Sequence, residues 1–174
     1  MAEKTGAEKT EMATAAGRAK TIDAGKFEIF LDRATDEVFS TMIGVSCRPS
    51  AAEAGAGESS ISAVIGLAGA MSGTMVLHAS SVGAMRIAER MTGMAPEGVD
   101  AMVRDAVGEV CNMIAGAWKG FDPALASGCL LSTPTVVAGS SYELFSQRAP
   151  VRIERRYSFE ELSLTVTIFC ELPA

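Results

Sequence analysis

The 174-residue chain predicts an α+β fold, an antiparallel sheet covered by helices. Three features carry that expectation. Apolar residues recur at three- and four-residue steps over 26–43 and again over the long segment that closes near Gly120. Two strand-forming runs, Ile61–Ala70 and Thr74–Ala79, are joined by a tight turn at Met71-Ser72-Gly73. Near the C-terminus Leu162, Leu164, Val166, Ile168, Cys170 and Leu172 alternate with mostly polar neighbours, as a half-buried strand requires.

The elements follow in order. Residues 1–24 are low in complexity, with Ala2-Glu3-Lys4-Thr5 recurring as Ala7-Glu8-Lys9-Thr10. They hold too little apolar side chain to offset the entropy of ordering, so a disordered tail is expected before one folded domain at 25–174. In the first helix Phe27, Phe30, Leu31, Ala34, Val38, Phe39 and Met42 share a face, and Gly44 is its stop. A short extended piece through Cys47 to Ala51 follows, then a small-residue loop at 52–60. After the hairpin, Ser80 and Ser81 offer an N-cap to a helix that reaches about Met91 and ends at Gly93. Pro96 and Glu97 open the long helix. A strand or an irregular segment at Leu125–Leu131 leads to Thr133-Pro134-Thr135-Val136-Val137, where Pro134 shapes a loop or a strand start. Val151–Phe159 is the penultimate strand, antiparallel to Leu162–Leu172.

Composition excludes several functions. With 48% hydrophobic and 21% charged residues the chain is an ordinary globular domain that needs no disulfide or metal to hold its core. A net charge of −6, with no basic stripe, argues against a nucleic-acid or anionic-membrane partner. The four scattered cysteines (Cys47, Cys111, Cys129, Cys170) suit reduced, buried thiols. No apolar leader or run long enough to span a bilayer is present, so a cytoplasmic protein is expected. His78 is the single histidine and lies in an apolar strand, which disfavours Ser-His-Asp and Cys-His catalysis. No converging ligands suggest a metal or cofactor bound by this chain. The glycines at 66, 69 and 73 belong to a hairpin, since neither a P-loop nor a dinucleotide motif is completed.

The long helix carries the functional signal. At 100° per residue, Val103, Ala106, Val107, Val110, Met113, Ile114 and Ala117 form its buried face. Asp105, Glu109, Asn112 and Gly116 fall at about 0°, 40°, −20° and 20°, a separate narrow stripe. Ala101, Gly108 and Ala115 beside them are small enough to admit a partner's backbone. A solvated helix face gives the same spacing by chance, so the stripe alone does not name a function.

Asp105-x-x-x-Glu109-x-x-Asn112, followed by Met113-Ile114-Ala115-Gly116 and later by Thr133-Pro134-Thr135-Val136 with Gly139, resembles the CheC/CheX/FliY family of chemotaxis phosphatases. The hairpin from Ile65-Gly66-Leu67 to Ser72-Gly73-Thr74-Met75-Val76-Leu77 and the helix end Thr41-Met42-Ile43-Gly44 are similar to that family as well. The resemblance covers residues 22–172. It implies hydrolysis of the aspartyl phosphate of a CheY-like response regulator, with Asn112 orienting water and Glu109 pairing with a lysine of the regulator. Asp105, Gly108, Ala115 and Gly116 would then contact the partner, and Mg²⁺ would sit on the regulator. The alternative is a non-catalytic adaptor that binds a receiver domain or a flagellar protein through the same helix.

A faint repeat points to the single-site CheX type. Glu37–Gly44 aligns without gaps with Glu109–Gly116, an offset of 72 residues that suggests an internal α/β duplication. Ser40 replaces the amide, and a hydroxyl reaches less far, so Glu37 and Ser40 are expected to be a degenerate second site. The resemblance also implies a homodimer. The long alternating strand at 162–172, if left as an edge, would invite pairing with a second copy.

Overall fold

The computed structural model describes residues 23–51, 59–140, 142, 144 and 151–171. The expected tail before residue 23, most of the 52–60 loop and Leu172 lie outside them. Helix α1 (Ala24–Val38) starts at an Asp23 cap and passes into a single π-helical stretch, Phe39–Ile43, closed by Gly44. Strand β1 (Arg48–Pro49) is followed by the hairpin β2 (Ser60–Gly69) and β3 (Ser72–Ser80). Helix α2 (Ser81–Thr92) is capped by the Ser80 side chain and ends at Gly93. Helix α3 (Ala101–Gly120), the short α4 (Pro123–Gly128) and strands β4 (Cys129–Leu131), β5 (Thr135–Gly139), β6 (Val151–Phe159) and β7 (Leu162–Glu171) complete the fold.

Three boundaries differ from the sequence expectation. The first is the hairpin turn, which is Ala70-Met71 because Ser72 and Gly73 already pair in β3 with Glu171 and Cys170. Helix α3 opens at Ala101 rather than at Pro96, because Asp100 takes an extended conformation and its carboxylate accepts the Val103 N–H at 3.0 Å. The segment after α3 begins with a helical turn, not a strand. There Asp122 accepts the Ala124 and Leu125 N–H groups, with Pro123 in the first turn.

Among the described residues seven strands form one antiparallel sheet in the order β1-β6-β7-β3-β2-β4, with β5 also paired to β2. Alternation sorts its two faces. Ile61, Ala63, Ile65 and Leu67 of β2, Met75, Leu77 and Ala79 of β3, and Leu164, Val166, Ile168 and Cys170 of β7 are buried under the helices. Each large side chain on that face contributes roughly 1.5–3 kcal/mol by leaving water. The α+β expectation is met.

Strand β7 is not an edge. It pairs with β6 on one side and β3 on the other along nearly its whole length, so it offers no free ladder to a second copy. Apolar alternation reports burial of one face and carries no information about lateral neighbours.

Helix α1 is fixed to β6 by a polar clamp. Arg155 donates two hydrogen bonds to the Asp32 carboxylate, at 2.9 and 2.6 Å, and the buried Tyr157 hydroxyl donates a third at 2.9 Å. Trp118 at the end of α3 is fully buried and meets the Phe27 ring edge-on with centroids 5.4 Å apart. Its indole N–H donates to the Phe27 carbonyl at 3.2 Å, which ties α3 to the first turn of α1.

The sheet's other face holds His78. Its Nδ1 lies 2.9 Å from the Ser62 hydroxyl, which in turn accepts a hydrogen bond from Tyr142 at 3.0 Å. Burial lowers the His78 pKa, because the imidazolium loses solvation there. The unfolded chain therefore binds a proton near the ordinary value of about 6.5 while the folded chain resists it. This contribution to stability is full above that pH and falls as pH drops through it towards the lower native value. Thermal melts between about pH 7.5 and 5 should show the decline in the wild type and a flatter profile in His78→Gln. Superimposable profiles would show that His78 does not set this dependence.

Candidate functional site

Helix α3 packs on β2, β3, β4 and β5 and also touches α1 and α2, which pack on the sheet as well. Its buried arc is therefore wider than the apolar stripe suggests. Val103, Ala106, Val107, Val110 and Ile114 are buried as expected, and Gly108, Cys111, Ala115 and Trp118 join them, while Met113 and Ala117 are only half-buried. What remains open is a narrow strip. Asp105 and Glu109 are exposed, and Asn112 and Gly116 are half-exposed. The side chains of Asp105, Glu109 and Asn112 make no hydrogen bond or ion pair with another described residue, so their hydrogen-bonding groups face solvent. The strip has a rigid base, since residues on either flank are locked into the core.

Gly108 and Ala115 depart from their expected place. Both are buried within the domain, Ala115 completely, and neither lies on the open strip. A Cβ on Gly108 would stand 3.4 Å from Val136 Cγ2 and 3.5 Å from Pro134 Cβ. The neighbour beside Gly108 is the chain's own β4–β5 connection, at ordinary van der Waals distance from where a Cβ would stand. Helical angle alone could not reveal this, because the neighbour comes from 26 positions further along.

Pro134 sits between β4 and β5, which pair with successive stretches of β2, and so introduces β5 at Thr135. An open groove of about 490 Å³ runs between this connection and α3, lined by Arg104, Asp105, Gly108, Glu109, Pro134 and Val136, with Ala101 at its end. Arg104 falls outside the Asp105–Glu109–Asn112 stripe, so the helical pattern alone gives it no role. Only the position of Pro134 brings it into the same surface.

The first-helix counterpart is differently built. Glu37 and Ser40 are exposed, but the Ser40 hydroxyl donates to the Glu37 carbonyl at 3.1 Å, as does that of Thr41 at 2.7 Å. These hydroxyls are spent on their own helix, and the π-helical stretch starting at Phe39 changes the angular relation between Glu37 and the residues after it. Glu37 and Ser40 therefore do not reproduce the Glu109–Asn112 geometry.

The cysteines stand apart from this surface. All four are buried free thiols. Burial pushes the pKa of Cys47 and Cys111 up to about 12 and that of Cys170 up to about 11, so these thiols stay protonated at neutral pH. Cys111, although on α3, points inward and donates to the Ala63 carbonyl. Among the described residues no group of three or more His, Cys, Asp or Glu side chains converges as metal ligands would. No described helix is long and apolar enough to cross a membrane.

Comparison with known proteins bears on this arrangement. Chemotaxis protein CheX from Vibrio vulnificus superposes with a TM-score of 0.75 at 24% identity, covering 87% of this chain and 100% of that one. CheX from Desulfovibrio desulfuricans gives 0.70 at 25% identity, covering 86% and 100%. The CheX of a CheX–CheY–BeF3–Mg²⁺ complex from Borrelia burgdorferi gives 0.68 at 20% identity, covering 87% and 99%. No curated protein sequence matches the chain. The family described as chemotaxis phosphatase CheX matches residues 61–154, which span the hairpin, α2, the whole of α3 and the Pro134 connection. With more than half its length matched, this chain belongs to the CheX family of chemotaxis phosphatases.

Proposed function

We propose that this protein hydrolyses the aspartyl phosphate of a CheY-like receiver domain, with Asn112 orienting the attacking water. The observation that carries the reading is the pairing of Glu109 and Asn112 on an open strip of a helix whose apolar face is locked in the core. Their polar groups are free to act on a partner, and their separation is held by the helix itself. The Borrelia relative was crystallised with CheY, magnesium and beryllium trifluoride, a mimic of a phosphoryl group. That supports a phosphorylated receiver as the substrate.

The chemistry suits an amide. Water attacks phosphorus in line, its P–O bond forms as the bond to the aspartyl oxygen breaks, and the carboxylate leaves with the electron pair. Such a transfer depends on placement and on charge stabilisation more than on covalent help from the catalyst. Neutral Asn112 cannot take a proton, but its carbonyl accepts a hydrogen bond from the water and fixes its approach. Glu109, three residues earlier, is placed to pair with a lysine of the receiver and so register the helix over the phosphate. Mg²⁺ would sit on the receiver, where it would supply charge stabilisation to the phosphoryl group.

The test is the lifetime of the acyl phosphate on purified receivers from the same organism, with and without the protein. A several-fold shorter lifetime on at least one receiver is expected. If no receiver loses phosphate faster, while one binds with its lifetime unchanged, the protein is an adaptor and not a phosphatase.

A further inference from the structure

We infer that Arg104 is a specificity-determining residue, pairing with an acidic side chain that a receiver domain presents to the groove between α3 and Pro134. The inference rests on the phosphatase reading for its partner, but not on the role of Asn112. Its basis is the wiring of charge around α3. Arg104 is exposed and makes no ion pair with a described residue, and among the described arginines it is the one that lines this groove. Its helical neighbours leave it free. Val107 and Gly108 at i+3 and i+4 carry no acid, and Asp100 at i−4 is committed to capping the Val103 N–H. Asp105 and Glu109 are not at the spacings that place side chains together on a helix.

The groove supplies the place for the pair. Gly108 forms its floor because it has no side chain, and Pro134 and Val136 make an apolar wall. Asp105 and Glu109 line the same groove, so an acidic segment entering it would meet repulsion unless a cation were present. Arg104 is the cation lining that groove. Arg104 and Asn112 are eight residues apart, about 12 Å along the helix axis. Arg104 therefore acts at the rim of the contact and not on the phosphoryl group.

A rim charge governs encounter and partner choice, so its removal acts on binding and on salt dependence rather than on the chemical step. Arg104→Glu should raise KM for the phosphorylated receiver about tenfold or more at low salt, leave kcat within twofold, and lose most of its effect near 0.5 M salt. Binding to the same receiver loaded with beryllium trifluoride and magnesium should weaken in parallel. Reversing the charge of the matching acid on the receiver should restore it. Unfolding curves matching those of the wild type would show that the fold is unaffected. An unchanged KM and unchanged binding would overturn the inference, and so would a fall in kcat at constant KM. If the wild type binds receivers without dephosphorylating them, the phosphatase reading fails and the binding measurement alone decides the role of Arg104. If the wild type binds no receiver, both fail.

Discussion

Asn112→Ala is expected to lower the protein-stimulated rate of receiver dephosphorylation by about 10²-fold, the usual scale for removing one positioned polar group from a transition state. The protein should remain folded, because the Asn112 side chain is half-exposed and bonds to no other described residue. Binding to a beryllofluoride-loaded receiver should change little, since the lost interaction is with water. Asn112→Asp should be equally inactive, as it sets a negative charge against the phosphoryl oxygens. Glu109→Ala should act differently, raising KM through loss of its lysine partner. Single-turnover decay of the acyl phosphate at saturating protein measures the first effect directly. A rate within twofold of wild type for a folded Asn112→Ala variant would remove the amide from the mechanism.

The second large effect concerns stability. Gly73→Ala is expected to cost about 4 kcal/mol or more, at the severe end of single substitutions. Gly73, the second residue of β3, lies opposite Cys170 of β7 and has φ of +154°, a region that side chains rarely occupy. An added Cβ would stand 1.9 Å from the Phe169 carbonyl oxygen and 2.8 Å from the Cys170 Cα. Both are backbone atoms, so no side-chain rotation can relieve the overlap. The end of the β3–β7 ladder, beside the hairpin turn, would have to part. Denaturant unfolding should show the loss, or the variant should fail to accumulate as folded protein. Ser72→Ala, one residue earlier and half-exposed, should stay within about 1 kcal/mol of wild type. A Gly73→Ala variant equally stable would mean that the strands are not held this closely.

The periodicities carried much of this architecture. Step-of-two alternation marked β7, because its burial requirement is written into consecutive residues, and strand-forming runs around a tight turn marked β2 and β3. The helices were likewise visible from their apolar faces, and Ser80, Gly44 and Gly93 marked ends through local backbone chemistry. Asp100, and not Pro96, is the local signal for the start of α3, because its carboxylate caps the Val103 N–H. The Asp105–Glu109–Asn112 strip was legible for the same reason, since a helix fixes relative direction at short range.

What only the tertiary structure decided depends on residues distant in sequence. The interior position of β7 follows from which strands flank it, and alternation is blind to that. Gly108 and Ala115 looked like part of a docking face because their smallness is a local property, whereas their burial against Pro134, Val136 and the sheet is not. Ser40 kept its place in the aligned octet, yet hydrogen bonds to Glu37 and a π-helical stretch gave its helix end a different geometry. Arg104 entered the groove only when β5 folded against α3. Short-range geometry determined which side chains share a helix face, and long-range packing determined which of them remained open to a partner.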